Sequence, residues 1–93
     1  MTMSDIITKT IHVNIKTLDG DEDRFKFKTT TLVGAAKDEA LKRFHIDPPP
    51  GETYRLAEKK NDSFRPFDDN KTLGEEGVEN KDTLWLGTEQ QVG

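Results

Sequence analysis

Three aspartates at alternate positions, Asp19, Asp21 and Asp23, have a spacing that could ligate a calcium ion. A calcium-binding loop takes ligands at its positions 1, 3 and 5, and it also needs glycine at position 6 and glutamate at position 12. In this sequence those two positions hold Arg24 and Thr30. The acidic cluster is therefore interpreted as a solvated turn, and no metal is predicted there.

The two histidines, His12 and His45, lie far apart in the sequence and have no ligand spacing around them, and the chain contains no cysteine. A metal site or a catalytic base needs partner side chains at a suitable distance. No phosphate-binding glycine loop and no helical zinc motif is found either. The sequence therefore predicts no catalytic residue, no cofactor and no enzymatic activity.

Composition limits the remaining classes of function. The chain has 93 residues, of which 31% are hydrophobic and 34% charged, and its formal net charge is −4. A chain of this length forms one small core. Lys and Arg are mixed with Asp and Glu along the sequence, so no basic stripe and no nucleic-acid partner are expected. Residues 1–9 lack a signal-peptide core, and no stretch has membrane-spanning length, which predicts a cytoplasmic protein without a membrane partner.

A β-hairpin is predicted after a disordered leader over residues 1–9. Apolar and polar residues alternate along residues 11–15, a period of two that is typical of a half-buried strand. Asp19-Gly20 supplies the residue with positive φ that a tight turn needs, and the alternation resumes at Phe25 and Phe27. The apolar face of this hairpin needs a covering element.

That covering element is predicted to be a helix. The hydroxyls of Thr29–Thr31 could cap its first amides, and prolines in residues 48–51 would end it. Its apolar residues recur at helical spacing. They are Val33, Ala36, Ala40, Leu41 and Phe44.

The second half of the chain predicts further strands. Tyr54 and Leu56 indicate a third strand, and residues 64–67 indicate a short edge strand because Pro66 lacks an amide hydrogen. Thr72-x-x-Glu75 is a capping-box pattern that predicts a helical turn before the last strand, residues 82–86. The order is ββαββ, with a folded domain over residues 10–87 and a flexible C-terminal tail over residues 88–93.

Several short motifs follow one another in a familiar order. They are Ile15-Lys16-Thr17-Leu18-Asp19-Gly20 in the first hairpin, Pro48-Pro49 followed by Arg55-Leu56 after the helix, and Lys71-Thr72-Leu73, Gly77-Val78 and Asp82-Thr83-Leu84-Trp85-Leu86 near the end. In this order they resemble the ubiquitin-like (β-grasp) family over residues 10–93. The resemblance implies an α+β fold, in which a mixed sheet packs on one helix and a short helical turn precedes the last strand.

The resemblance also implies a function as a protein modifier. In this family the carboxylate of a terminal glycine, here Gly93, is adenylated by an activating enzyme, passed to a cysteine and joined to an amine of a target protein by conjugating enzymes. Residues 83–93 match in length the end of mature ubiquitin. Glycine has no Cβ, so an extended tail can enter a narrow enzyme channel. The tail residues are Gly87, Gln90, Gln91 and Val92.

Two tail positions depart from ubiquitin. Val92 replaces the penultimate glycine, and Glu89 stands at a basic position, so eukaryotic activating enzymes are not expected to accept the chain. In these features the chain is similar to the divergent ubiquitin-like modifiers of bacterial conjugation operons, some of which are trimmed by a processing peptidase. An alternative interpretation is that Gly93 merely ends a flexible segment.

The apolar recognition patch of ubiquitin corresponds here to Leu18, Ala57, Trp85 and Gly87. Of these, Leu18, Ala57 and Trp85 are the predicted partner-binding residues, because an exposed tryptophan is a frequent interface anchor. Trp85 could equally pack on the stems of Arg55 and Lys16, as in ordinary sheets.

Two other functions fit the resemblance. The chain could be an interaction module that is never conjugated and binds partners through its sheet face or its acidic surface. It could also carry sulfur on a terminal thiocarboxylate, although such carriers usually end in paired glycines.

Overall fold

The computed structural model describes residues 8–93 and has a small α+β architecture. One mixed sheet contains five strands in the order β2-β1-β5-β3-β4, with β1 and β5 parallel and the other neighbours antiparallel. The mixed sheet and its single long helix are as the sequence predicts. The elements are β1 (Thr10–Thr17), β2 (Glu22–Lys28), α1 (Val33–Arg43), β3 (Tyr54–Lys60), β4 (Ser63–Pro66), β5 (Thr83–Thr88) and α2 (Glu89–Val92).

The N-terminal prediction lies mostly outside the described residues. Of the predicted leader, residues 1–9, only Thr8 and Lys9 are described. The Lys9 carbonyl accepts a hydrogen bond from the Thr29 amide at 2.8 Å, and the Lys9 amide donates to the Thr29 hydroxyl at 3.2 Å. The folded part of the chain therefore includes Lys9.

The first hairpin forms as its alternation predicts. Residues 11, 13 and 15 are buried on β1, and Phe25 and Phe27 lie opposite Val13 and Ile11 on β2. Gly20 has a φ of +105°, a conformation that costs glycine little. The turn is closed because the Thr17 hydroxyl accepts a hydrogen bond from the Asp21 amide at 3.0 Å.

Helix α1 covers one face of the sheet, but the threonines predicted to cap it do not. Its N-cap residue is Leu32, which makes no side-chain capping bond. The first two amides of the helix, those of Val33 and Gly34, instead donate to the backbone carbonyls of Lys71 and Asp69 at 2.8 and 3.1 Å. A loop distant in sequence therefore satisfies amides that the helix cannot satisfy itself.

The core lies between α1 and the sheet. Strands β1, β2, β3 and β5 contribute the residues of one face, and Phe67, Leu73 and Val78 close the core from the loops. The core residues are Ile11, Val13, Ile15, Phe25, Phe27, Val33, Ala36, Ala40, Leu56, Phe67, Leu73, Val78, Leu84 and Leu86. In the described part of the chain, no helix is long and apolar enough to cross a membrane.

The capping box before the last strand is present. The Thr72 amide donates to the Glu75 carboxylate at 2.8 Å, and the Glu75 amide donates to the Thr72 hydroxyl at 3.0 Å. The segment closes as a turn rather than a regular helix, and Gly77 ends it with a φ of +81°. This turn places Leu73 and Val78 in the core, as predicted.

Glu76 connects this turn to strand β4. Its carboxylate accepts hydrogen bonds from the Asp68 amide at 2.8 Å and from the Arg65 guanidinium at 3.1 Å. The pKa of Glu76 lies below the ordinary value of 4.5. The hydrogen bond from the Asp68 amide is the larger cause, and Arg65 adds to it. The ionised carboxylate thus stabilises the fold.

We predict that Glu76→Gln lowers the free energy of unfolding at pH 7 and that this difference shrinks in acid. The pKa of Glu76 is lower in the folded than in the unfolded state, so its stabilisation is complete above pH 4.5 and is lost as the pH falls through the lowered value. Urea unfolding of both proteins at pH 7 and pH 3 measures this. The exposed Glu79→Gln is the control, and a pH-independent difference for Glu76→Gln would contradict the prediction.

Candidate functional site: the outer sheet face and the C-terminal turn

The sheet face opposite α1 carries one large aromatic cluster. Trp85 points outward from β5 and is half-buried. The ammonium groups of Lys16 and Lys59 lie 5.3 and 5.2 Å from its ring centroid, and Phe64 packs against it edge-on at 5.7 Å. The register explains the arrangement, because Trp85 pairs with Lys16 on β1 and with Ala57 on β3. Trp85 therefore packs against Phe64 and two ammonium groups and also keeps an accessible surface.

The structure brings the other predicted partner-binding residues to the same face but gives them different exposure. Leu18 is 37% exposed at the end of β1, whereas Ala57 is fully buried. Ala57 therefore lies beneath the surface and offers a partner no contact area. The small side chain at this position leaves room for its larger neighbours Trp85 and Pro66, with which Ala57 is paired.

The C-terminal segment differs from the extended tail that the sequence predicts. Residues Glu89–Val92 form one helical turn, α2, which packs against β3, β4 and β5. The side chain of Thr88 caps the turn, and the Gln91 side chain accepts a hydrogen bond from the Thr88 amide at 2.9 Å. This reciprocal capping box is the physical reason for the turn.

Gly87 forms the hollow into which α2 packs. A Cβ on Gly87 would lie 3.0 Å from Val92 Cγ1 and 3.1 Å from both Gln91 Oε1 and Leu18 Cδ1. Val92 is only 3% exposed as a result. The absence of a side chain at Gly87 therefore allows the end of the chain to fold onto the outer face, beside the predicted patch.

Gly93 is held by this turn. Its amide donates to the Glu89 carbonyl at 2.8 Å, and the Glu89 amide donates to the Thr53 carbonyl at 2.8 Å. A Cβ on Gly93 would lie 2.5 Å from the Glu89 carbonyl oxygen, a distance that side chains do not tolerate. Glycine at this position therefore has a local steric reason, and Gly93 must leave the turn before it can extend into another protein.

The residues considered for metal binding do not form a site. Within residues 8–93 no group of His, Asp and Glu side chains is arranged to hold a metal. Asp23 instead accepts a hydrogen bond from Arg43 of α1 at 2.9 Å. That bond, with a second from the Arg24 amide, holds the pKa of Asp23 below its ordinary value. The acidic turn thus fastens the hairpin to the helix.

Sequence reasoning missed a concentration of positive charge on the outer face. Six of the 14 Lys and Arg residues point outward from the strands, together with one of the 18 acidic residues, Glu22. The predicted absence of a basic stripe is therefore wrong. The signal was the alternation in β2, which puts its cations on one face and its phenylalanines on the other. The outward cations, called the basic face below, are Lys16, Arg24, Lys26, Lys28, Arg55 and Lys59.

Taken together, the outer face combines an aromatic cluster, a basic face and a folded C-terminal turn. Such a surface can bind a partner. Comparison of the sequence with models of known protein families and with curated proteins finds no match.

We predict that Val92→Ser loosens α2. Serine loses most of the apolar burial of valine, roughly 1–2 kcal/mol, so local opening should become about tenfold more frequent. Amide hydrogen exchange of Gly93, measured by NMR, should accelerate accordingly. Gln90→Ser on the exposed side of the same turn is the matched control. Equal exchange rates in the two variants would show that Val92 does not hold the turn.

Proposed function

We propose that this chain is a ubiquitin-like, β-grasp protein whose function is to bind a partner protein through the outer face of its sheet. The order of strands and helix and the position of the capping-box turn support the β-grasp assignment. The chain contributes recognition, and any chemistry belongs to its partners.

The observation that carries this proposal is the aromatic cluster at Trp85. A tryptophan held by a neighbouring ring and two ammonium groups is preorganised, so little side-chain freedom is lost when a partner covers it. The edge-on packing of the two rings stabilises this arrangement by about 0.5–1.5 kcal/mol. Half-buried tryptophans at the centre of a surface are typical binding hot spots.

We predict that Trp85→Ala weakens binding of the partner by about 2 kcal/mol, or roughly thirtyfold. The measurement is quantitative capture from the native cells with the chain tagged at its N-terminus. Leu32→Ala is the matched control, because Leu32 is a large exposed hydrophobic residue, at 48%, and lies outside this face. Unfolding free energies are measured in parallel to identify folded variants.

A protein retained by the wild type and by Leu32→Ala but depleted with folded Trp85→Ala supports the proposal. Should Trp85→Ala unfold the chain, Trp85→Lys, which keeps a long stem over Ala57 and removes the ring, replaces it. Equal capture by all folded variants would contradict a contact centred on Trp85.

A second candidate function is covalent modification through Gly93, with activating and conjugating enzymes as partners, a processing peptidase where a precursor exists, and a target protein as acceptor. The favouring observation is that one four-residue turn alone, α2, restrains Gly93. Helices this short are marginal by themselves. Releasing Gly93 requires exposure of Val92 and loss of the cap.

The cost of this release is modest. Exposing Val92 and losing the capping box cost about 2–3 kcal/mol together, so on the order of one molecule in a hundred has Gly93 free. An activating enzyme could capture that fraction, with its apparent affinity reduced by the same factor. The proposal thus needs an enzyme that selects the opened turn.

We predict that, if the chain is a modifier, cells lysed in hot detergent contain covalent adducts of the N-terminally tagged chain. Deletion of Gly93 should abolish them, and Val92→Ser should increase them because it frees Gly93 more often. Gln90→Ser should leave them unchanged. Absence of adducts with both the wild type and Val92→Ser removes this function and leaves partner binding standing.

A further inference from the structure

Five of the six cations of the basic face form no ion pair with another described residue, and only Arg55 does. Among residues 8–93, the five salt bridges use Lys37, Arg43, Arg55 and Arg65. The remaining members of the basic face have no acidic partner within 4 Å there. Its charge is therefore available to an anion from outside the molecule.

Strand β2 arranges three of these cations in a regular row. Arg24, Lys26 and Lys28 are exposed, and opposite them on β1 stand the polar residues Asn14, His12 and Thr10. Alternate residues of a strand are about 6.8 Å apart. An extended peptide has the same spacing between every second side chain, so carboxylates at alternate positions would match the row.

A depression beside this row adds further donors. It is lined by His12, Asn14, Arg24, Asn80 and Lys81. The Asn80 side-chain oxygen accepts a hydrogen bond from the His12 amide at 2.8 Å, which leaves the Asn80 NH₂ group to donate. Two cations and an amide donor therefore meet at one end of the row.

Lys81 occupies this depression in a strained backbone conformation. Its φ is +75°, in the left-handed region that glycine and asparagine adopt more readily than lysine. Its amide donates to the His12 carbonyl at 2.6 Å, which ties the loop to β1. A lysine at a position that favours smaller residues indicates a use for its charge.

We propose that the basic face binds an acidic peptide segment of a partner protein, an extended run of about five residues with carboxylates at alternate positions along Arg24, Lys26 and Lys28. The inference rests on the proposed function, because it names the chemistry of the partner that the outer face receives. The carboxylate nearest Arg24 also meets Lys81 in the depression.

Acidic residues limit the length of this ligand. Glu22 follows Arg24 at one end of the row, and Glu79 and Asp82 lie in the loop that carries Lys81. A long polyanion such as a nucleic acid would meet these carboxylates. A stacking base would also have to displace Lys16 and Lys59 from the Trp85 ring. A short acidic peptide avoids both conflicts.

NMR titration of the ¹⁵N-labelled chain tests the proposal. The probes are a capped Ser-Glu-Ser-Glu-Ser-Glu-Ser peptide, its Lys counterpart, and an oligothymidylate of equal negative charge. We predict that the Glu peptide shifts the amides of β2 and of residues 80–82 and that the Lys peptide does not. Arg24→Glu should weaken the binding at least tenfold.

Two variants separate the contribution of the proposed binding site from that of the net charge of the chain. Lys42→Glu changes the charge of the chain equally, on the exposed side of α1, and should weaken binding less than twofold. Lys81→Asn removes a charge while relieving the strained backbone, so the chain should be as stable as wild type or more stable and bind about threefold more weakly.

The proposal is overturned if the Glu peptide shifts no amide signal or if Arg24→Glu and Lys42→Glu weaken its binding equally. It is also overturned if oligothymidylate binds more tightly than the Glu peptide, with the same dependence on Arg24. In each case a partner lost with Trp85→Ala would still support binding through the outer face, so the two failures are distinguishable.

Discussion

Because α1 covers only one face of the sheet, the strands must place their apolar residues on that side. The remaining strand residues lie on the opposite side. The chain is 31% hydrophobic, and 14 of its hydrophobic residues form the core, with four more packed against it. The alternate strand positions are therefore polar, with Trp85 and Phe64 as the large aromatic exceptions. Both proposed functions lie on the outer face or at its edge because the covered face has no room for a ligand.

Local patterns allowed much of this architecture to be predicted from the sequence. Alternation identified β1, β2 and β5 and their core residues, and Asp19-Gly20 identified the turn. The cap of α1 could not be predicted in this way, because its partners are carbonyls of residues 69–71, which reach the helix only in the folded chain. Where a tertiary contact provides the hydrogen-bond acceptor for the first helical amides, the preference for particular capping residues does not predict how the helix begins.

The C-terminal turn and the basic face both have signals in the sequence that were missed. Thr88-x-x-Gln91 has the capping-box pattern, but the resemblance to a family with extended tails favoured a mobile segment. Positive charge looks mixed when read along the sequence, since Arg24, Lys26 and Lys28 are separated by phenylalanines. The period of two separates them in space, and Arg43 and Arg65 on the other side are neutralised by carboxylates.

Under the two proposed functions, the packing of Val92 on Gly87 would couple recognition to the release of Gly93. Val92 and Leu18 approach the same hollow, so a partner that contacts the sheet there must displace α2 and accept the cost of opening it. Such a partner would leave Gly93 free as a direct consequence of binding. A partner on β1 and β2 would leave α2 in place, so under the proposed functions the outer face would distinguish a ligand that only binds from an enzyme that also acts on the chain.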